Sequence, residues 1–248
     1  MKGIVLAGGK GTRLGNLTTV VNKHLLPIYD RPMIYFPIML LVNNGIKNIM
    51  IVTDKSRAGD FLNLLGTGRQ FGARFTYGLQ DDALGIADAL EKAEDFVAGD
   101  DITVILGDNL FLDELHLSNI ESGMARVFLA KVRDVSMFGV PVMDSNRGIT
   151  ELIEKPETSN PGLVLTGLYQ YPSDVFKLIR DLAPSSRNEL EITDLNRIFL
   201  KRNRLIYEIV KSKWIDAGTV EGLFKAQALV RSRIITGKLQ NVKESVKL

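Results

Sequence analysis

Short apolar runs of strand length alternate with helix-patterned segments through the first 110 residues, and few folds accommodate that order. The runs lie at 4–6, 48–53, 75–78 and 102–106, and helical stretches fall between them at 32–42, 60–65 and 85–97. Such alternation packs as a parallel sheet covered by crossover helices. The second half is less regular. Strands read at 126–132, 149–153, 163–171 and 205–210, and helices at 174–182, 192–201 and 219–235, the last capped by Thr219. No linker, repeat or low-complexity segment interrupts the chain. The expectation is an α/β fold: a single domain over residues 1–240 with a mostly parallel central sheet flanked by helices, followed by a polar tail at 241–248.

Composition narrows the function classes. The net charge is +2, with 31 basic against 29 acidic residues, which gives no electrostatic case for a nucleic-acid partner. The sequence has no cysteine, so disulfides, thiolate metal sites and a cysteine nucleophile are excluded. His24 and His116 are the two histidines, too few for a histidine-based zinc site. The apolar run before Gly8 is too short for the core of a signal peptide. No stretch approaches the ~18 apolar residues of a membrane span. The expectation is a cytoplasmic protein without a membrane partner.

The first strand runs into three glycines, Gly8, Gly9 and Gly11, with Lys10 and Arg13 among them and Lys23 beyond. Glycines let the backbone turn tightly and let N–H groups approach a ligand, and consecutive N–H groups in such a turn form an anion-binding concavity. With three cations added, the stretch reads as a triphosphate cradle. It is not a P-loop, because no GxxxxGK[ST] pattern can be laid on it. A dinucleotide fingerprint fits poorly, since Leu14 stands where a third glycine is needed and Asp30 does not end a second strand. The remaining alternative is a plain tight turn, in which cations have little structural purpose.

GGKGTRL at 8–14, followed by NKHLLP at 22–27 and RPMI at 31–34, resembles the sugar-phosphate nucleotidylyltransferases, and within them the glucose-1-phosphate thymidylyltransferase branch. Later motifs extend the resemblance over nearly the whole chain. It departs at Asn16, usually proline in that family, and at Asn22, often serine or proline. The resemblance implies a Rossmann-like nucleotidyltransferase fold with a nucleotide-binding half at about 1–110 and a sugar-binding half at about 111–240. It implies transfer of a thymidylyl group from dTTP to glucose 1-phosphate with Mg²⁺ as cofactor, in a homo-oligomer, tetramer or dimer. The alternatives are the same reaction with UTP or another sugar 1-phosphate, and, in a different class, a catalytically silent nucleotide-sugar sensor.

Residue by residue, the resemblance places the nucleotide on Leu6, Gly8, Gly9, Gly11, Thr12, Arg13, Gln80 and Gly85. Gln80 would pair with the pyrimidine, since an amide offers both a donor and an acceptor; read alone, it is a loop glutamine in water. Asp108 and Asp216 would hold Mg²⁺, an ion usually bound by one or two carboxylates plus phosphate oxygens and water. Read alone, Asp108 is better explained as a helix cap. Asn109, Gly139, Glu154, Lys155, Leu165 and Thr166 would hold the sugar phosphate, with Lys155 as a point charge on its phosphate. The other reading of Glu154 and Lys155 is a solvated ion pair. Phe138 stands where tyrosine is frequent, which removes any hydroxyl contact there. Arg13, Lys23, Asp108 and Lys155 are the implied catalytic residues. His24 is read as positional, because a phosphate ester with a second pKa of about 6 is already an anionic nucleophile and requires no base.

Overall fold

A computed structural model describes residues 1–9 and 11–240; Lys10 of the expected cradle and the tail at 241–248 lie outside the described residues. In chain order the elements are β1 (Lys2–Leu6), β2 (Pro27–Ile28), β3 (Arg31–Pro32), α1 (Tyr35–Asn43), β4 (Asn48–Asp54), α2 (Ala58–Leu65), β5 (Arg74–Gln80), α3 (Ile86–Glu91) and α4 (Glu94–Val97). Then come β6 (Ile102–Leu106), β7 (Asn109–Phe111), β8 (Ala125–Val132), β9 (Gly139–Met143), β10 (Ile149–Glu154) and β11 (Gly162–Tyr171). The chain closes with α5 (Val175–Ile179), α6 (Ile192–Lys201), β12 (Leu205–Ile209), β13 (Trp214–Asp216) and α7 (Val220–Ile235). Short 3₁₀ turns occupy Thr12–Thr18, Lys23–Leu25 and Arg69–Phe71.

One seven-stranded sheet runs in the order β12-β8-β11-β6-β1-β4-β5. β5, β4, β1 and β6 are mutually parallel, β11 is antiparallel to both β6 and β8, and β12 is parallel to β8. The sheet is thus mostly parallel, and it draws strands from both halves of the chain. Its central strands are buried on both faces, which is why they read as continuous apolar runs. Ile4 and Leu6 face a core shared with α3, α5 and α6; Val5 and Ala7 face the opposite core, built on Tyr35, Ile38 and Leu41 of α1 and Phe61 and Leu65 of α2. A third cluster joins α7 to Leu14, Leu110, Ile215 and Ala217. It packs the glycine stretch against the β7–β13 ribbon.

Several expected elements shift. The helix read at 32–42 begins at Tyr35, because Arg31–Pro32 is spent on pairing with Pro27–Ile28. Pro37 then falls in the first helical turn, where its missing N–H leaves no bond unmade. The helix read at 85–97 breaks between Glu91 and Glu94, where Ala93 N donates to Leu90 O at 3.0 Å and the tightened turn buries Ala93 completely. The helix at 174–182 shortens to Val175–Ile179. Thr219 caps α7 as expected, its hydroxyl accepting from Gly222 N.

Candidate active site

The carboxyl ends of β1, β4, β5 and β6 lie side by side at one edge of the sheet, where open α/β sheets collect ligands. After β1, Ala7 N still donates to Val52 O, and the chain then leaves the sheet through Gly8, Gly9 and Gly11, the last two at φ +99° and +63°. Leu14, 1% exposed in the third core, anchors the outgoing turn. Asn22 ties the next turn back to the sheet. Its carbonyl accepts from His24 N at 2.9 Å and faces His24 Nδ1 at 2.8 Å, while its amide donates to Ala7 O and Asp54. The Asn22 substitution therefore carries structural work. The His24 ring is so close to the backbone at Gly107 that a Cβ there would meet a ring carbon at 2.6 Å. Burial, reinforced by the Lys23 ammonium, lowers the His24 pKa to about 3. His24 is neutral and enclosed, consistent with a positional role.

That packing holds Lys23 directly over Asp108, with Nζ 2.5 Å from Oδ2. Burial, the largest single influence, pushes the Asp108 carboxyl up, but the Lys23 charge, the neighbouring His24 and hydrogen bonds from Lys23 and Asn109 together outweigh it and hold the group well below the usual carboxylate range. The second carboxylate arrives by sheet pairing. β13 lies antiparallel to β7 with Asp216 opposite Asn109, and Ala217 N donates to Asp108 O at 2.9 Å. A Cβ placed on Gly218 would lie 2.7 Å from Asp108 Oδ2, 2.9 Å from Asp216 Oδ1 and 2.9 Å from an Arg13 guanidinium nitrogen. The two aspartates and Arg13 therefore converge on one small space. Burial, and then the neighbouring Asp108 carboxylate, push the Asp216 pKa up to about 6. Arg13 approaches Asp216 from the open side at 3.9 Å.

Two carboxylates that resist ionising together, around a space that a single methyl group would fill, suit a hard divalent cation completing its shell with phosphate oxygens and water. Asp108 and Asp216 are the residues that could hold Mg²⁺. No group of three or more His, Asp or Glu side chains forms a closed metal cage among the described residues.

On the nucleotide side, Gln80 ends β5 and is 5% exposed. Its Nε2 donates to Asp88 Oδ2 at 2.7 Å and to Gly85 O at 3.2 Å, and its Oε1 lies 3.0 Å from where a Gly8 Cβ would stand. A cavity of about 360 Å³ opens here, lined by Gly9, Asn22, Lys23, Asp54 and Gln80 among others. Gly85 is required by its neighbour: any Cβ would meet the Leu190 backbone at 2.5 Å. Leu6 has its carbonyl bonded to Gly107 N, and Thr12 is exposed at the start of its turn.

The sugar-side residues form a second group. Around the Cβ position of Gly139 lie Thr193 Oγ1, Glu154 Oε2 and Leu165 Cδ1. Glu154 accepts from Thr193 at 2.6 Å and pairs with Arg187 and Lys155 through its other oxygen. Lys155 holds φ +44°, a strained setting for a lysine of the kind that clusters at functional sites. The two groups adjoin. Burial, and then the carboxylates of Glu154 and Asp108, push the Tyr169 hydroxyl well up, and Asn109 Oδ1 accepts from Gly167 N in β11. Asn109 is heavily used internally, since the same oxygen accepts from Trp214 Nε1 and its amide donates to Asp108. The Thr166 hydroxyl is turned inward onto Phe128 O and Leu168 N, which leaves only its backbone for a ligand. Phe138 packs edge-on against Trp214.

Sequence reasoning gave no site role to Asn22, Asp88, Arg187 or Gly218. Arg187 bridges Glu154 at 3.2 Å and Glu191 at 2.7 Å. Its signal was a cation preceding the two acids Glu189 and Glu191. The signal for Gly218 was a glycine two residues after an aspartate.

A glycine turn, two converging carboxylates and flanking cations at the sheet edge define a class of nucleotide-handling α/β protein. A family model described as nucleotidyl transferase matches residues 2–233, and the chain belongs to that family. It is similar to the glucose-1-phosphate thymidylyltransferase of Neisseria gonorrhoeae, 38% identical over 239 residues that cover 94% of this chain and 83% of the relative. The enzyme of the same name from Mycolicibacterium smegmatis is also 38% identical with the same coverage. Among solved structures, a Bacillus anthracis protein provisionally named glucose-1-phosphate thymidylyltransferase and crystallised with sucrose superposes with TM-score 0.87 at 47% identity, covering 93% of this chain and 95% of that one. A UDP-glucose pyrophosphorylase bound to UDP-glucose gives TM-score 0.80 at 26% identity, covering 94% and 98%.

Proposed function

We propose that the chain catalyses the reaction of dTTP with glucose 1-phosphate to give dTDP-glucose and pyrophosphate. The observation that carries this reading is the convergence of Asp108, Asp216 and Arg13 on the space beside Gly218, with Lys23 on Asp108 and the Glu154–Lys155 group adjoining. The relatives named above support the choice of substrates.

In this mechanism the triphosphate lies along the glycine turn, its charge met by Arg13 and Lys23. Lys155 positions the phosphate of glucose 1-phosphate, and Glu154 accepts hydrogen bonds from sugar hydroxyls. A phosphate oxygen of the sugar phosphate attacks the α-phosphorus, and the bond from that phosphorus to the bridging oxygen breaks as pyrophosphate leaves. Mg²⁺, held by Asp108 and Asp216, would neutralise charge on the phosphate oxygens. Arg13 meets the charge that builds on the leaving group. No residue is required to accept a proton, and the enclosed neutral His24 is not placed to do so. Catalysis is by positioning and charge stabilisation.

A matrix of nucleoside triphosphates against sugar 1-phosphates, read by pyrophosphate release, tests the proposal. The dTTP–glucose 1-phosphate pair is expected to give the highest kcat/KM. Absence of pyrophosphate release with every pair would make the chain a silent sensor.

A further inference from the structure

The Gln80 amide does less than its chemistry allows. A primary amide carries two N–H donors and an acceptor oxygen, and free to rotate it matches either pattern of base edge. Here both donors are engaged, one by Asp88 Oδ2 at 2.7 Å and one by Gly85 O at 3.2 Å, and Oε1 is left toward Gly8 and the cavity. Asp88 sits on the first turn of α3, is 6% exposed, and has its other oxygen 3.3 Å from Lys92 Nζ. A carboxylate only accepts. Turning the amide over would set Oε1 against Asp88 Oδ2 and against the Gly85 carbonyl, two acceptor–acceptor contacts in a buried place.

We infer that Asp88 is the specificity-determining positioning residue of the nucleotide site: by fixing the Gln80 amide it leaves an acceptor alone facing the base. The inference deepens the function proposed above and rests on that reading of the site. An acceptor in this position selects a base with a ring N–H flanked by carbonyls, as in thymine and uracil. Cytosine presents an unprotonated ring nitrogen there, and two acceptors would face each other. Discrimination against CTP is thus set from behind the site by a residue that never touches the base.

The test compares kcat/KM for dTTP, UTP and CTP in the wild type, Asp88→Asn and Gln80→Met. Asn is nearly isosteric with Asp and removes the charge that forbids the flip. In Asp88→Asn the ratio of dTTP to CTP use is expected to fall at least tenfold, with KM for dTTP raised more than kcat is lowered. In Gln80→Met, dTTP use falls with no gain for CTP. Equal losses for all three nucleotides in Asp88→Asn, or an unchanged ratio, would overturn the assignment. If that variant does not fold, the wild type labelled with ¹⁵N-glutamine decides. The Gln80 side-chain N–H protons are expected to stay protected from exchange with and without dTTP, and rapid exchange in either state would overturn the lock. A wild type active on dTTP with an unaltered ratio in Asp88→Asn overturns this inference alone. A wild type that uses no triphosphate overturns the functional reading and this assignment with it.

Discussion

Replacing Gly218 with alanine tests the metal cradle with one methyl group. The new Cβ would stand 2.7 Å from Asp108 Oδ2 and 2.9 Å from both Asp216 Oδ1 and an Arg13 nitrogen, all inside van der Waals contact. Relief requires the carboxylates to retreat by roughly half an ångström or more, and neither is free to do so. Lys23 and Asn109 hold Asp108, and Asp216 Oδ1 accepts from the Gly218 N–H at 2.7 Å. A misplacement of ~1 Å in a reacting geometry costs on the order of 10²-fold, so Gly218→Ala should lower kcat by about 10- to 100-fold. The fold should survive. Gly218 is not among the glycines with positive φ, and alanine in a compatible conformation reduces the freedom of the unfolded chain, a stabilising effect of about 0.4–1 kcal/mol. Pyrophosphate release across a Mg²⁺ titration, paired with a thermal melt, reads both quantities. A variant with wild-type kcat and an unchanged Mg²⁺ dependence would refute the convergence of Asp108 and Asp216 on one ion.

Lys155→Ala should lower kcat/KM for glucose 1-phosphate by roughly one to two decades, the worth of a charge-assisted contact of about 1.5–3 kcal/mol. Calorimetry should find dTTP affinity nearly unchanged, and a collapse of dTTP affinity would reverse the assignment of the two halves. Arg13→Ala should reduce kcat more than it raises KM for dTTP, because the guanidinium meets charge that grows in the transition state; normal kcat with a raised KM would make it a ground-state anchor. His24 should govern part of the acid limb of stability. Its pKa is about 3 when folded against 6.5 for the free side chain. The unfolded chain therefore binds the extra proton first, and the contribution is fully present above pH 6.5 and is lost as pH falls toward 3. The loss is ~1.4 kcal/mol per pH unit, roughly 5 kcal/mol in all. Urea titrations between pH 7.5 and 4.5 should give a shallower pH dependence for His24→Gln than for the wild type, and parallel profiles would remove His24 from the account.

The parts of this protein legible in the sequence are those whose physics is local. β1, β4 and β6 could be read because strands buried on both faces are continuous apolar runs, and α7 because Thr219 caps it. The glycine turn announced itself through Gly8, Gly9 and Gly11, with Arg13 and Lys23 close by in the chain. β7 and β13 were not legible. Each has three residues, too few for periodicity to register, and they exist because they pair with each other.

The sequence by itself determined the α/β class, the edge of the sheet at which ligands collect, and which side chains were available there. Only the tertiary structure decided how those side chains are aimed. It brought Asp216 to Asp108 across the β7–β13 ribbon, turned the Thr166 hydroxyl into the core, and spent both Gln80 donors on Asp88 and Gly85. The reason is physical. Apolar burial is summed over a segment and leaves a periodic trace in the residues themselves. The direction of a hydrogen bond depends on a partner that folding alone brings within 3 Å, and no spacing along the chain records it.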